Sequence, residues 1–324
     1  MNSQLNGIPT QTLVALCESP EHFDRGEFQV VPAHLAKVSA FDRSFHFGDS
    51  VYEVARTYQG IIFGFDLHEA RLLKSASMAG FSKVARPGVI EKMIRATCAQ
   101  WFREFGNQDV YIRWTLSRGL SDLNINPDIS TSPLGMVFVK PLPTQDAQHA
   151  ADFERGLHYA VVERLRNNPA ALDPRMKSGN YLNNILGLAE AHALGADDAI
   201  MLDHHGNVTE GTTNNVFAVK NGTIYTAPLS VGILDGITRR LVFATARTQG
   251  IPLSETTFNR DFLKSADEIF MSSSIKEILP ITMLNGLMVG PKAAPGAVTR
   301  KIAGGFAEEV KRFVTEHRTE SLFL

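Results

Sequence analysis

Two stretches of alternation constrain the first half of this chain more than any other feature. Between Val51 and Tyr58, the residues Val51, Glu53, Ala55 and Thr57 face one way and Tyr52, Val54, Arg56 and Tyr58 the other. Between Val110 and Ser117, the residues Val110, Ile112, Trp114 and Leu116 oppose Tyr111, Arg113, Thr115 and Ser117. A period of two is the signature of strands. Gln59-Gly60 is a turn, and Ile61 to Phe65 a returning strand, so the first stretch closes a hairpin. The spacing between the two strands is helical. Asp66 is expected to cap a helix carrying Leu67, Ala70, Leu73 and Ser77 along one side, with Arg71 beside them. After Pro87 a longer amphipathic helix carries Val89, Ile90, Met93, Ile94, Cys98, Trp101, Phe102 and Phe105. Gly135 to Val139 reads as a buried strand. Residues up to about Phe28 are weakly patterned and are expected to lie over the surface as an extension, with Phe28 to Val31 and the stretch around Ala40 read as short strand or turn.

The second half mixes the same two periods. Strands are predicted at Leu157–Val162, Ala199–Asp203 and Glu268–Met271, with a hairpin of Val216–Val219 and Thr223–Tyr225 closed by Asn221-Gly222. Helices are predicted at about Ile237–Thr248 and Val298–Val314. A chain of 324 residues exceeds one typical core, so two domains are expected. The segment 141–151, with Pro141, Pro143 and many polar residues, is the linker candidate. It separates an N-terminal domain, 1–140, from a C-terminal one, 152–324. The fold class is mixed α/β (α+β).

Charge removes several classes of function. Lys and Arg total 32 and Asp and Glu 34, for a net charge of −2, without the basic excess expected of nucleic-acid or membrane-surface binders. Two cysteines, Cys17 and Cys98, supply neither a disulfide framework nor a metal cluster. No apolar run is long enough to span a bilayer, and Met1 to Thr10 lacks a secretory pattern. A cytoplasmic location is the expectation, and no metal ligand set is expected.

The chemistry collects around one lysine. Lys177 lies between an irregular approach (Asn167, Asn168, Pro169, Asp173, Pro174) and an apolar helical run of Tyr181, Leu182, Ile185, Leu186 and Ala189, with Asn183 and Asn184 on the other side. Ser178, Gly179 and Asn180 read as the turn that starts the helix. A lysine at such a junction serves as a nucleophile when burial or a nearby cation removes its proton. Glu210, in T-E-G, is a carboxylate on a tight turn, suited to accept a hydrogen bond from a protonated ring nitrogen. Gly236 to Arg239, G-I-T-R, opens a helix with exposed N–H groups and a threonine hydroxyl, an anion site by dipole and by unpaired donors. Ser272, Ser273 and Ser274 add hydroxyls, and Arg71 offers a bidentate grip on phosphate. A lysine amine, a carboxylate for a pyridinium nitrogen and several phosphate donors together fit pyridoxal phosphate.

Six pieces, in order from about residue 41 to 285, then point to a family: F-G-D-S-V-Y-E-V-A-R, L-H-E-A-R-L, K-S-G-N-Y-L-N-N, L-D-H-H-G-N-V-T-E-G-T-T-N-N-V-F, L-D-G-I-T-R-R and A-D-E-I-F-M-S-S-S. The chain resembles the class IV (fold type IV) aminotransferases. The resemblance implies a two-domain enzyme with a small N-terminal α/β domain and a larger C-terminal domain that binds pyridoxal 5'-phosphate and has a β-barrel-like core. It implies that Lys177 is the Schiff-base lysine and general acid/base, and that Glu210 contacts the pyridine nitrogen. Arg71, Gly236, Ile237, Thr238, Ser273 and Ser274 would hold the phosphate, and Tyr181 would lie near the ring oxygen. Tyr52, Arg56, Arg113 and Arg118 are candidates for substrate binding, the arginines for a carboxylate. Phe45, Phe47, Tyr52 and Val54 are candidates for an apolar side-chain pocket. A homodimer with its active site completed by the partner subunit, and ping-pong transamination between an amino acid and a 2-oxo acid, follow from the same resemblance.

V-Y-E-V-A-R and Y-I-R look like branched-chain and D-amino acid members. The short spacing between Lys177 and Tyr181, and S-R-G at 117–119, look more like D-amino acid and (R)-amine members. A branched-chain or similar apolar donor is the favoured expectation. A D-amino acid or (R)-amine transaminase comes second, and an aminodeoxychorismate lyase-like enzyme third.

Overall fold

The computed structural model describes residues 8–17, 19–81, 86–130, 133–142, 146–290 and 295–323. The chain divides into two compact units. The first comprises Met1–Pro143, Met176–Asn180 and Phe313–Leu324; the second comprises Thr144–Arg175 and Tyr181–Arg312. Of the expected linker 141–151, residues 143–145 lie outside the described residues, and a helix occupies the stretch from Asp146 onward.

In the first unit the elements run β1 (Leu13–Leu16), α1 (Pro20–Arg25), β2 (Gln29–Pro32), α2 (Arg43–Phe47), β3 (Ser50–Tyr58), β4 (Ile61–Ile62), α3 (Phe65–Met78), α4 (Pro87–Phe105), β5 (Val110–Ser117) and β6 (Leu134–Pro141). Six strands form one sheet in the order β2-β1-β6-β5-β3-β4, and every neighbouring pair is antiparallel. On β5 the alternation is realised as read: Val110, Ile112 and Leu116 are each 0% exposed and Trp114 1%. Register pairs Val51 with Leu116, Glu53 with Trp114 and Ala55 with Ile112, so these side chains share the core face. A glutamate is thereby carried into an apolar layer. Helix α4 covers the β1–β6 region with the predicted stripe of Ile90, Met93, Ile94, Cys98, Trp101 and Phe102.

Several expectations for this unit are corrected. The stretch Leu13–Leu16 is not a surface extension, because Leu13, Val14 and Ala15 are buried in β1 between β2 and β6; residues 1–7 lie outside the described residues. A four-residue apolar strand is too short to display a period. The returning strand after Gln59-Gly60 stops at Ile62, since Gly64, in the left-handed region at φ 62, turns the chain into α3. Gly64 is therefore the N-cap, and Asp66 makes no capping bond. The buried face of α3 is His68, Arg71, Leu72, Ser75 and Ala76, whereas Leu67 is 44% exposed. Its neighbour β3 presents Glu53, and a polar helix face answers it.

The second unit contains α5 (Asp146–Arg155), β7 (Leu157–Val161), α6 (Leu182–Ala193), β8 (Asp198–Leu202), β9 (Val208–Gly211), β10 (Asn215–Lys220), β11 (Thr223–Thr226), α7 (Ile237–Thr248), β12 (Leu253–Glu255), α8 (Arg260–Lys264), β13 (Glu268–Ser273), β14 (Glu277–Leu284), β15 (Leu287–Met288) and, as far as Arg312, α9 (Ala297–Glu316). Strands β10-β13-β14-β7-β8-β9 follow one another, and β9 pairs back onto β10 through Glu210 and Asn215, closing a six-stranded barrel. Tyr159, Ile200, Val208, Val216, Ile269, Met271 and Ile281 fill its core. The expected hairpin is present, with Asn221 and Gly222 at φ 49 and 74 as a tight mirror-image turn demands.

Helix α6 reverses its expected orientation. Asn184, Gly187 and Ala191 are buried, while Leu182, Ile185 and Leu186 are 67%, 57% and 41% exposed. The small residues allow close approach: a Cβ on Gly187 would lie 3.1 Å from Met201 Sδ. Nor do Ser178–Asn180 begin the helix, which starts at Leu182 with Tyr181 as N-cap.

Candidate active site

Lys177 sits at the apex of a three-residue turn, because the Ser178 N–H donates to the Met176 carbonyl at 2.9 Å. Both of its own backbone groups are engaged within the first unit. Its N–H donates to Ser75 Oγ on α3 at 3.1 Å, and its carbonyl accepts the Tyr52 N–H of β3 at 3.0 Å. Gly179 N–H donates to the Ser50 carbonyl at 2.8 Å. A Cβ at Gly179 would fall 2.3 Å from Ser50 Oγ, so glycine is required for this approach. The lysine is thus anchored by its main chain while its half-buried amine reaches 4.6 Å from the centroid of the Tyr52 ring. The Arg113 guanidinium also lies on that ring, at 3.8 Å. One aromatic ring serves two cations.

Below this turn lies a buried ionic group. Arg71 donates from Nε and Nη2 to the two oxygens of Glu53, each at 2.7 Å, and His68 donates from Nδ1 to Glu53 at 2.8 Å. Glu53 is 0% exposed and His68 1%. Burial raises the Glu53 carboxyl, but the Arg71 charge and the hydrogen bonds from Arg71 and His68 outweigh it and bring the value down to about 2. Burial lowers the His68 imidazole, and the Glu53 hydrogen bond and charge oppose that shift; the nearby charges of Arg71 and Lys177 lower it further. A neutral ring donating from Nδ1 follows. Arg71 and Ser75, one turn apart on α3, therefore place a guanidinium and the lysine's anchor on the same helix face.

The other arginines are differently occupied. Arg118 donates to Asp49 at 2.7 Å and to the Ala79 carbonyl at 2.6 Å, and lies 4.8 Å from the Phe81 ring. Arg56 donates to the Thr57 carbonyl and lies 4.3 Å from the Tyr58 ring. Of the apolar pocket candidates, Tyr52 is 3% exposed and Phe45 68%.

In the second unit Glu210 is buried on β9, where its Oε1 accepts from Arg166 Nε at 3.0 Å and its Oε2 from the Leu234 N–H at 2.9 Å. Helix α7 begins with Gly236 as N-cap and no side-chain capping bond, with Ile237 and Thr238 buried in its first turn. A Cβ on Gly236 would meet Asn215 Oδ1 at 2.2 Å, so the backbone must be bare there. Ser272 pairs with Asn215 in register and so shares its sheet face; its buried Oγ has no hydrogen-bond partner. An uncapped helix start and an orphaned buried hydroxyl suit an anion such as a phosphate, and a buried carboxylate suits a cationic ring nitrogen. These residues fit pyridoxal phosphate. Ser273 Oγ accepts the Lys276 N–H at 3.0 Å, Ser274 follows it half-buried, and the half-buried Tyr181 accepts the Ile185 N–H through its carbonyl.

Four residues in these networks escape motif reading: Glu53, His68, Ser75 and Arg166. Alternation did place Glu53 on one face with Val51, Ala55 and Thr57, but it left open which face is the core side. The other three carry no signal short of the tertiary contacts. Among the described residues, no helix is long and apolar enough to cross a membrane, and no cluster of His, Cys, Asp and Glu could hold a metal.

The family pattern described as amino-transferase class IV matches residues 50–284. A D-alanine aminotransferase of Staphylococcus haemolyticus is 35% identical over 295 residues, covering 89% of this chain and 97% of that protein. A T.th. branched-chain amino acid aminotransferase, complexed with N-(5'-phosphopyridoxyl)-L-glutamate, aligns with a TM-score of 0.78 at 28% identity over 93% of this chain and 94% of that one. The branched-chain aminotransferase of Thermoproteus uzoniensis, with norvaline, aligns at a TM-score of 0.75 and 29% identity, covering 89% and 95%.

Proposed function

This chain belongs to the class IV aminotransferases, and we propose that it moves the amino group of a branched-chain or similar apolar amino acid to a 2-oxo acid. Its cofactor is pyridoxal 5'-phosphate. The observation that carries the reading is the geometry of Lys177, whose main chain is tied on both sides while its amine stays available beside an aromatic ring.

Pyridoxal phosphate supplies an aldehyde carbon for an amine, and a ring that accepts electrons when a substrate C–H bond breaks. Lys177 is assigned as the amine that engages it and that afterwards moves the proton from the donor's Cα. Glu210 accepts the hydrogen bond of the protonated ring nitrogen. Arg71, the N–H groups and hydroxyl of Gly236, Ile237 and Thr238, and Ser273 and Ser274 bind the phosphate, with Tyr181 at the ring oxygen. Glu53 takes the Nε–Nη2 edge of Arg71, which replaces the bidentate grip on phosphate expected from the sequence and fixes the guanidinium for that task. Arg113 and Tyr52 are assigned to the donor; Arg118 and Arg56 are committed to Asp49, Ala79 and Thr57, which favours structural roles for them. Ping-pong kinetics are expected, read as parallel double-reciprocal lines.

A second reading, a D-amino acid transaminase, is supported by the D-alanine relative and by S-R-G at 117–119. The two are separated by adding pyridoxal phosphate, recording the visible band of the lysine-bound cofactor, and titrating with L-leucine or D-alanine. Bleaching by L-leucine alone supports the first; bleaching by D-alanine alone overturns it. Loss of the band in Lys177→Ala is expected, and a Lys177→Ala protein with wild-type turnover would remove the catalytic assignment.

We also propose a homodimer with its active site at the interface, supported by the apolar face of Leu182, Ile185 and Leu186 on α6, which a single chain leaves in water. Sedimentation equilibrium reads the mass. A cytoplasmic location is supported by Cys17 and Cys98, both buried and unpaired.

A further inference from the structure

We infer that Arg166 is a positioning residue for the reaction, acting on the cofactor ring through Glu210. This role rests on the proposed contact between Glu210 and the ring nitrogen, and goes beyond it by naming what holds Glu210 in the state that contact needs.

Glu210 and Arg166 form a buried pair, with side chains 5% and 9% exposed. Arg166 is itself pinned from several directions. Its N–H donates to the Leu202 carbonyl at 2.8 Å, and its Nη1 donates to Asn183 Oδ1 at 3.2 Å and to Asn184 Oδ1 at 3.5 Å. The two asparagines are fixed in turn. Asn183 Nδ2 donates to the Leu165 carbonyl at 2.8 Å, and Asn184 Nδ2 to the Thr212 carbonyl at 2.6 Å. Thr212 lies two residues beyond Glu210. The first turn of α6, which has no side-chain N-cap, thus spends its asparagines on Arg166 and on the turn after Glu210.

This arrangement gives Glu210 a fixed cation on one oxygen and a backbone N–H on the other. A planar guanidinium held at several points loses little freedom in keeping its bond. A buried carboxylate deprived of its cation takes up a proton more readily, and a protonated Glu210 would accept from a ring N–H only through a neutral carbonyl oxygen, without the charge that holds the ring proton in place. The ring nitrogen would then lose its proton and withdraw electrons less strongly. Arg166 therefore keeps Glu210 a charged acceptor and acts on the ring through it.

The test loads the wild type and its variants with 15N-labelled pyridoxal phosphate at neutral pH and records the ring-nitrogen resonance, alongside turnover and melting temperature. In Arg166→Gln the resonance is expected to move toward the unprotonated position. Its kcat should fall by about tenfold or more, with the donor KM within about threefold. Arg166→Lys should restore the protonated resonance at least in part, and Arg166→Gln should shift nothing further in a Glu210→Gln background. A stably folded Arg166→Gln protein with the wild-type resonance overturns the inference while leaving the contact between Glu210 and the ring standing. If Arg166→Gln does not fold, an Arg166→Lys protein with an unprotonated ring, or additive losses in the double variant, overturns it instead. A wild type that takes up no cofactor, or a ring resonance unmoved by Glu210→Gln, fails the underlying reading, and the inference falls with it.

Discussion

Helices α3 and α4 follow one another in the same unit, yet one buries a mixed polar and apolar face and the other an almost wholly apolar one. α4 buries Ile90, Met93, Ile94, Cys98, Trp101 and Phe102 under the β1–β6 side of the sheet, as its apolar spacing predicts. α3 buries His68, Arg71 and Ser75 alongside Leu72 and Ala76, and leaves Leu67 in water. The difference lies in the strand each meets. β3 carries Glu53 into the core face, and a buried carboxylate without a partner would be costly. A helix beside it therefore supplies a guanidinium and an imidazole next to its buried Leu72 and Ala76. Periodicity locates a helix; its neighbour chooses the buried face.

The largest expected effect falls on that choice. Glu53→Ala leaves Arg71 buried without its partner and should cost about 3–5 kcal/mol in urea unfolding; a loss below about 1 kcal/mol would break the contrast between the helices. On the apolar side, Ile94→Ala should cost about 2–5 kcal/mol by removing buried methyl groups and leaving a cavity. Ser75→Ala strands the Lys177 N–H and should cost about 1–3 kcal/mol. It should also weaken binding of pyridoxal phosphate, measured by visible absorbance, which a defect confined to packing would not do. Leu67→Ala should change stability by no more than about 0.5 kcal/mol, since the residue is on the exposed face. A larger loss would restore the leucine stripe as the buried side.

Acid sharpens the same contrast. The Glu53 carboxyl lies at about 2 in the folded chain, below the unfolded value of about 4.3, so its contribution is whole at neutral pH and is lost as pH falls from about 4.5 toward 2. His68 is also lowered, so its contribution is whole above about 6.5 and declines as pH drops below that. Glu53→Gln should abolish the lower of these two acid limbs, as followed by unfolding at stepped pH.

Much of the fold was legible because strands and helices differ in period and because turns carry their own residues. The alternation at Val110–Ser117, the stripe of α4 and the Asn221-Gly222 hairpin needed no tertiary information. The four-residue β1 was illegible, since so few apolar residues display no period. The outward face of α6 was misread because apolar spacing is silent on which side packs, and Gly187 and Ala191 bury a helix by closeness rather than by size. At the site, Lys177 stood out at a turn and Glu210 as a carboxylate before a glycine, though Glu210 lies on strand β9 rather than on the turn expected for it; Ser75 and Arg166 lie 102 and 44 positions from the residues they hold.

What the sequence determined by itself was the order and type of most elements, the family, and the face that Glu53 shares with Val51 and Ala55, since each is set by local spacing or by short motifs. Only the tertiary structure decided that α3 would meet Glu53 with Arg71 and His68, that Ser75 would hold the lysine's amide, and that Arg166 would hold Glu210. Those are pairings between distant segments. Burial forces every charge and N–H to find some partner, but the partner's identity is fixed only when the chain has folded back on itself.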